Sequence, residues 1–146
     1  MFYEEFAVGQ QFPIDPVTVE KEKMIAFAEA YDPLPIHLDE EYAQASPFGG
    51  LIAPGVMSFM SVWATFVRQN VLGDELLAGK STKIEWFAPV RAGDVLHGCM
   101  TIVELGHRGH TGGSIWFTID ITNQDGTLVI RDTTEAVVKT KRGKES

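Results

Sequence analysis

The chain has 146 residues, 45% of them hydrophobic and 22% charged, with a formal net charge of −8 at neutral pH. That size suits one domain with a real core, and the acidic balance argues against nucleic acid or an anionic membrane as the main partner, since both attract clustered Lys and Arg. One cysteine, Cys99, excludes an intramolecular disulfide framework and a cysteine-rich zinc site, and fits a reducing compartment. With no signal-like N-terminus and no apolar run near the ~18 residues of a membrane span, the expectation is a cytoplasmic protein outside the membrane.

In chain order, Val8 to Pro13 reads as a turn into a short strand. Glu20 to Ala30 carries Met24, Ile25, Phe27 and Ala28 at helical spacing. Pro33 and Pro35 lack amide donors and bias their predecessors away from helical angles, which predicts a stiff non-helical connection from Tyr31 to His37. Asp39-Glu40-Glu41 looks like the acidic first turn of a short helix. After Gly49-Gly50 a longer helix should start near Pro54; its apolar residues from Val56 to Val67 cover most of the circumference and leave Ser58, Ser61, Thr65 and Arg68 as one polar stripe. Such a helix must be buried on most sides.

Four strands follow, at Thr82 to Ala88, Asp94 to Leu105, Ser114 to Thr122 and Thr127 to Lys139. In the third, Ile115, Phe117, Ile119 and Ile121 alternate with Ser114, Trp116, Thr118 and Asp120, so one face is core. Turn residues at Arg91 to Asp94 and at Asn123 to Gly126 make consecutive antiparallel pairing the simplest topology. The expected class is α+β, an antiparallel sheet wrapped around the long helix. Its edge strand and the helix's far side would need cover, which a second copy would supply. The basic tail, about 140–146, reads as a frayed, solvated end.

Two stretches carry chemistry. Asp32 and His37 stand five positions apart across two prolines. Fully extended, five intervals span roughly 16–18 Å, but a turn around the prolines could bring acid and imidazole together as a proton-transfer pair. The structural alternative is an Asp32 that caps a turn and a His37 bonded to a backbone carbonyl. In the second stretch, Phe48 to Val56, Gly55 falls in the first turn of the buried helix, where amides lack intrahelical partners and could hold an oxygen gaining negative charge. Alternatively, Gly55 only permits close packing there.

Together, Asp32-Pro33-Leu34-Pro35-Ile36-His37-Leu38-Asp39, Ala43, Phe48-Gly49-Gly50-Leu51-Ile52-Ala53, Gly55 and Pro89-Val90-Arg91-Ala92-Gly93-Asp94 resemble the MaoC-like dehydratases, the hotdog-fold group that includes (R)-specific enoyl-CoA hydratases. The resemblance runs from about Val8 to Lys139 and implies one hotdog domain spanning 1–146. It further implies addition of water to, or its removal from, a 2-enoyl thioester of coenzyme A, in a homodimer or higher homo-oligomer. Asp32 and His37 would be catalytic, holding one water, with Asp32 as base and His37 delivering a proton to the α carbon. The Gly55 amide would bind the thioester oxygen, and Ala53, Pro54 and Ser58 would complete the substrate site. No metal is required, and coenzyme A enters only as part of the substrate. Three positions depart from the family pattern: Leu34 where many hydratases have Asn, Pro54 where His is frequent, and Met60 where some relatives carry Ser.

Other readings weigh less. A hotdog thioesterase would direct water to the carbonyl carbon, and a non-catalytic acyl-binding subunit would keep only the fold. His97, inside a strand, and His107 and His110, in a turn, are weak metal candidates, since the two loop histidines have no adjacent carboxylate or Cys to complete a ligand set, and Gly106 to Gly113 reads as a hairpin tip. Cys99 reads as a small buried side chain. Lys80, Lys83, Arg91, Arg108 and Arg131 are candidate phosphate contacts, each with solvated surface charge as its ordinary reading.

Overall fold

A computed structural model describes residues 1–141. Strand β1 (Gln11–Thr18) is followed by helices α1 (Lys21–Tyr31), α2 (Pro35–Leu38), α3 (Glu40–Ala45) and α4 (Gly55–Arg68), then strands β2 (Leu76–Trp86), β3 (Val95–Arg108), β4 (Gly112–Thr122) and β5 (Leu128–Lys139). The strands form one antiparallel sheet in the order β1-β3-β4-β5-β2. Pro13 and Pro16, which cannot donate to a ladder, fall on the edge strand β1, where that loss is tolerated.

The inner face of β4 is as the alternation predicts: Ile115, Phe117, Ile119 and Ile121 are fully buried, each worth roughly 1.5–3 kcal/mol against exposure. Helix α4 lies on that face through Met57, Phe59, Val62 and Phe66, with the Trp63 ring stacked on Phe117 at 6.1 Å. Gly98 on β3 makes the approach possible, because a Cβ there would come within 2.7 Å of Val62 Cγ1.

Four expectations need correction. The first two C-terminal strands do not pair: β2 begins at Leu76 and pairs with β5, while β3 sits between β1 and β4. Residues 87–94 are therefore a crossover from one side of the sheet to the other, tied to the start of α4 by Ala53 N–H donating to the Val90 carbonyl at 2.7 Å. The span from Tyr31 to His37 is also not wholly non-helical, since Pro35 opens the one-turn helix α2, where its fixed φ suits the first position. On α4 the polar stripe is mostly withdrawn from solvent. Ser58 is buried, Ser61 and Thr65 donate to carbonyls one turn back, and the exposed side chains are Val56, Met60, Val67 and, from the stripe, Arg68 alone. Finally, Cys99 is only half-buried.

The tail begins in place. Thr140 is fully buried with its hydroxyl donating to the His110 carbonyl at 2.6 Å, and the Lys141 amide donates to Glu4 at 3.0 Å. The rest of the expected frayed end, residues 142–146, lies outside the described residues. No helix among the described residues is long and apolar enough to cross a membrane.

Candidate active site

The two prolines build the bend in two steps. Helix α1 closes with the Asp32 amide donating to Ala28, after which Asp32 leaves the helical region with φ −153° and ψ 67°. Pro33 offers no donor, and the Leu34 amide reaches back across it to the Asp32 carbonyl at 2.7 Å, a tight three-residue turn. Pro35 then starts α2, whose third residue is His37. Turn plus helical turn fold the five-residue span on itself, leaving Asp32 Oδ2 3.1 Å from His37 Nε2.

His37 is buried, and its Nδ1 lies 2.7 Å from the Ile52 carbonyl. A carbonyl only accepts, so Nδ1 carries a proton. With Nδ1 donating to that carbonyl, the other ring nitrogen, Nε2, is left facing the Asp32 carboxylate, a geometry suited to passing a proton between the two groups. The Asp32 side chain keeps 38% of its surface exposed, so the carboxylate also meets solvent.

This pair forms part of the wall of a cavity of about 490 Å³ that also reaches Ala53, Gly55 and Ser58. Pro54, the residue preceding α4, makes no side-chain cap, so the cap residue does not compete for the first amides at the helix's positive end. The Ser58 hydroxyl donates to the Pro54 carbonyl at 3.3 Å. Gly55 is required sterically as well: a Cβ there would sit 2.6 Å from Cε2 of Trp86.

Of the residues singled out from sequence, Asp32, His37, Ala53, Gly55 and Ser58 converge on this cavity, whereas Pro54 is buried behind it as the cap of α4. Both structural alternatives raised for this region are present too, since His37 does bond a carbonyl and Gly55 does admit a close neighbour. Sequence reasoning missed the aromatic walls Phe48, Trp86 and Phe87. The available signal was the aromatic pair Trp86-Phe87 just before Pro89, and its meaning depends on the crossover. His97, His107 and His110 are exposed, and among the described residues no group of three or more His, Cys, Asp or Glu side chains gathers as a metal site would need.

Residues 5–115 match a family model described as a MaoC like domain. The chain belongs to the MaoC-like family. The uncharacterized protein YdeM of Bacillus subtilis (strain 168) is 32% identical over 106 residues, covering 72% of this MaoC-like chain and 73% of its own. The crystal structure of the MaoC-like dehydratase from Rhodospirillum rubrum superposes with a TM-score of 0.88 at 34% identity, over 96% of this chain and 97% of the other. The (R)-hydratase from A. caviae involved in PHA biosynthesis superposes with a TM-score of 0.72 at 25% identity, over 94% and 98% of the two chains. The antiparallel sheet around α4 is thus the hotdog fold of MaoC-like structures.

The three departures from the family pattern now have places. Leu34 is 52% exposed and Met60 45% exposed, and neither is part of the cavity wall. Ser58 supplies a hydroxyl within the wall, two residues before Met60.

Proposed function

We propose that this MaoC-like chain is a hydratase/dehydratase of the (R)-specific enoyl-CoA hydratase type, adding water to or removing it from a 2-enoyl thioester of coenzyme A. The observation that carries the reading is the 3.1 Å approach of Asp32 to His37 on the wall of a cavity shared with Gly55. In the hydration direction, Asp32 accepts a proton from a water whose oxygen bonds to the β carbon. The double-bond electrons move toward the thioester, whose oxygen gains negative charge beside the Gly55 amide. His37 gives its Nε2 proton to the α carbon, and Asp32 returns a proton to His37 across their short separation. Atoms and charge balance without a cofactor in this scheme.

The same reading takes the active form to be a homodimer. Strand β2 is a long edge strand with Leu77 half-exposed, and α4 presents Val56, Met60 and Val67 to solvent. A second copy covering both removes an open edge and an apolar stripe together. The free thiol Cys99 suits a reducing, cytoplasmic setting.

The test follows a but-2-enoyl-CoA substrate by two signals. Loss of the conjugated double bond with the thioester intact is the expected result. Release of free thiol instead indicates a thioesterase, and binding without either signal indicates an acyl-binding subunit. Light scattering should give twice the mass of the chain; a monomeric mass removes the dimer from the reading.

A further inference from the structure

The five candidate phosphate contacts, Lys80, Lys83, Arg91, Arg108 and Arg131, differ sharply in place. Arg108 is tied to Glu4, Arg131 to Asp120 and Lys80 to Glu135, while Lys83 is exposed on β2. Arg91 alone of the five lies beside the reaction cavity. It is half-buried on the crossover, directly after Val90, which belongs to the cavity wall. Its Nη2 donates to the Phe48 carbonyl at 2.5 Å, and among the described residues no carboxylate pairs with its guanidinium.

Arg91 lines a second cleft, of about 270 Å³, made by the same two runs of chain that wall the cavity. Phe48 and Val90 face the cavity, and the residues that follow each of them, Gly49-Gly50 and Arg91-Ala92, face the cleft. Gly50 lies beside the guanidinium, its Cβ position 3.4 Å from Nη1, an ordinary contact distance. Lys21 and Glu40 both line the cleft and are paired with each other, so the unmatched charge there is the positive one of Arg91. A planar fork with one arm committed to a carbonyl and unpaired by any acid is suited to a phosphate oxygen.

We propose that the cleft at Arg91 seats a phosphate of the substrate's handle, with the pantetheine arm passing Phe48 into the reaction cavity. This rests on the thioester reading above. That phosphate is either the one carried by every phosphopantetheine arm or one on the nucleotide of coenzyme A, and truncated substrates separate the two.

The experiment compares but-2-enoyl thioesters of coenzyme A, 4′-phosphopantetheine and pantetheine on the wild-type enzyme and on Arg91→Gln. The expected result is that Arg91→Gln lowers kcat/KM for the coenzyme A thioester about tenfold more than for the pantetheine thioester, chiefly through KM, the scale of one lost charge-assisted hydrogen bond. A 4′-phosphopantetheine thioester that responds like the coenzyme A one places the contact at the arm's own phosphate. A response confined to coenzyme A places it on the nucleotide. Equal losses on all three thioesters would mean that Arg91 only holds Phe48 in place, and no loss on any would empty the cleft of a role; either overturns the proposal. Calorimetric binding of coenzyme A needs no turnover. If no thioester reacts yet Arg91→Gln weakens that binding about tenfold, the phosphate seat stands and the reaction falls. If turnover is normal and Arg91→Gln changes nothing, the seat falls alone.

Discussion

Asp32 and Asp132 are two carboxylates in opposite situations. Asp32 sits on a proline bend, partly open to a cavity and against an imidazole. Asp132, on the inner face of β5, is fully buried, and the described residues bring to it two hydroxyls, Thr134 at 2.7 Å and Thr82 at 3.3 Å, and no cation. Burial pushes the Asp132 carboxyl above its ordinary range, only partly offset by the two threonines. Once protonated, the acid can donate to Thr82, whose own proton turns to the neighbouring Thr134 hydroxyl, whose proton returns to Asp132. Each donor then has an acceptor and no charge is buried. Burial alone does not suit an acid to proton transfer, which needs a second proton-carrying group and access to a cavity; of the two carboxylates, Asp32 stands beside both an imidazole and a cavity, and Asp132 beside neither.

The largest expected effect breaks the comparison on the Asp32 side. Asp32→Asn and His37→Ala should each lower kcat on an enoyl thioester by at least about a hundredfold, the scale of lost acid–base assistance, with unfolding temperatures near wild type. Near-normal turnover in either variant removes that residue from the mechanism. Next comes the helix start. Gly55→Ala drives a methyl into Trp86 and should cost about 1–3 kcal/mol of stability by overpacking. In a Trp86→Ala background the same substitution should cost little; an unchanged cost in the double-variant cycle would show that the indole is not what Gly55 makes room for.

On the Asp132 side the effect is smaller and depends on pH. An acid whose folded-state pKa is raised contributes its stabilisation fully below its ordinary value and loses it as pH climbs through the raised value. Asn stays neutral throughout, so Asp132→Asn should gain on wild type as pH rises, by at least about 2 °C in Tm between pH 5 and pH 8. A difference independent of pH would mean that the ionised form is accommodated. The smallest effect is at Glu4, which accepts from the Lys141 amide and pairs with Arg108, lowering its carboxyl from 4.5 to about 2. A depressed acid stabilises above its ordinary value and loses that contribution as pH falls from about 4.5 toward 2. The Glu4→Gln Tm should therefore lie below wild type at neutral pH by less than about 2 °C, a gap that added salt narrows and acid closes.

Much of the site was legible because its signals are local. Two prolines between an acid and a histidine, and a glycine opening an apolar helix, are statements about neighbouring residues, and the backbone rules for proline and for helix ends apply wherever the chain goes. The same locality made β4 readable, since alternation needs no knowledge of partners. What failed was long-range. Turn residues at 91–94 suggested a hairpin, but the strand before them pairs with β5 on the far side of β4. That placement turned 87–94 into a crossover and brought Phe87 and Val90 to the cavity.

By itself, then, the sequence determined the local chemistry: the acid–imidazole spacing, the uncapped glycine start of α4 and the buried face of the sheet, all consequences of backbone stereochemistry and hydrophobic periodicity. It took the three-dimensional arrangement to bring these into one cavity, to close Trp86 against Gly55, to set Arg91, and not Lys80, Lys83, Arg108 or Arg131, at a cleft beside that cavity, and to shut Asp132 away with two hydroxyls. Those outcomes depend on which strands pair and on which side chains are thereby removed from water, and no residue carries that information in its immediate neighbours.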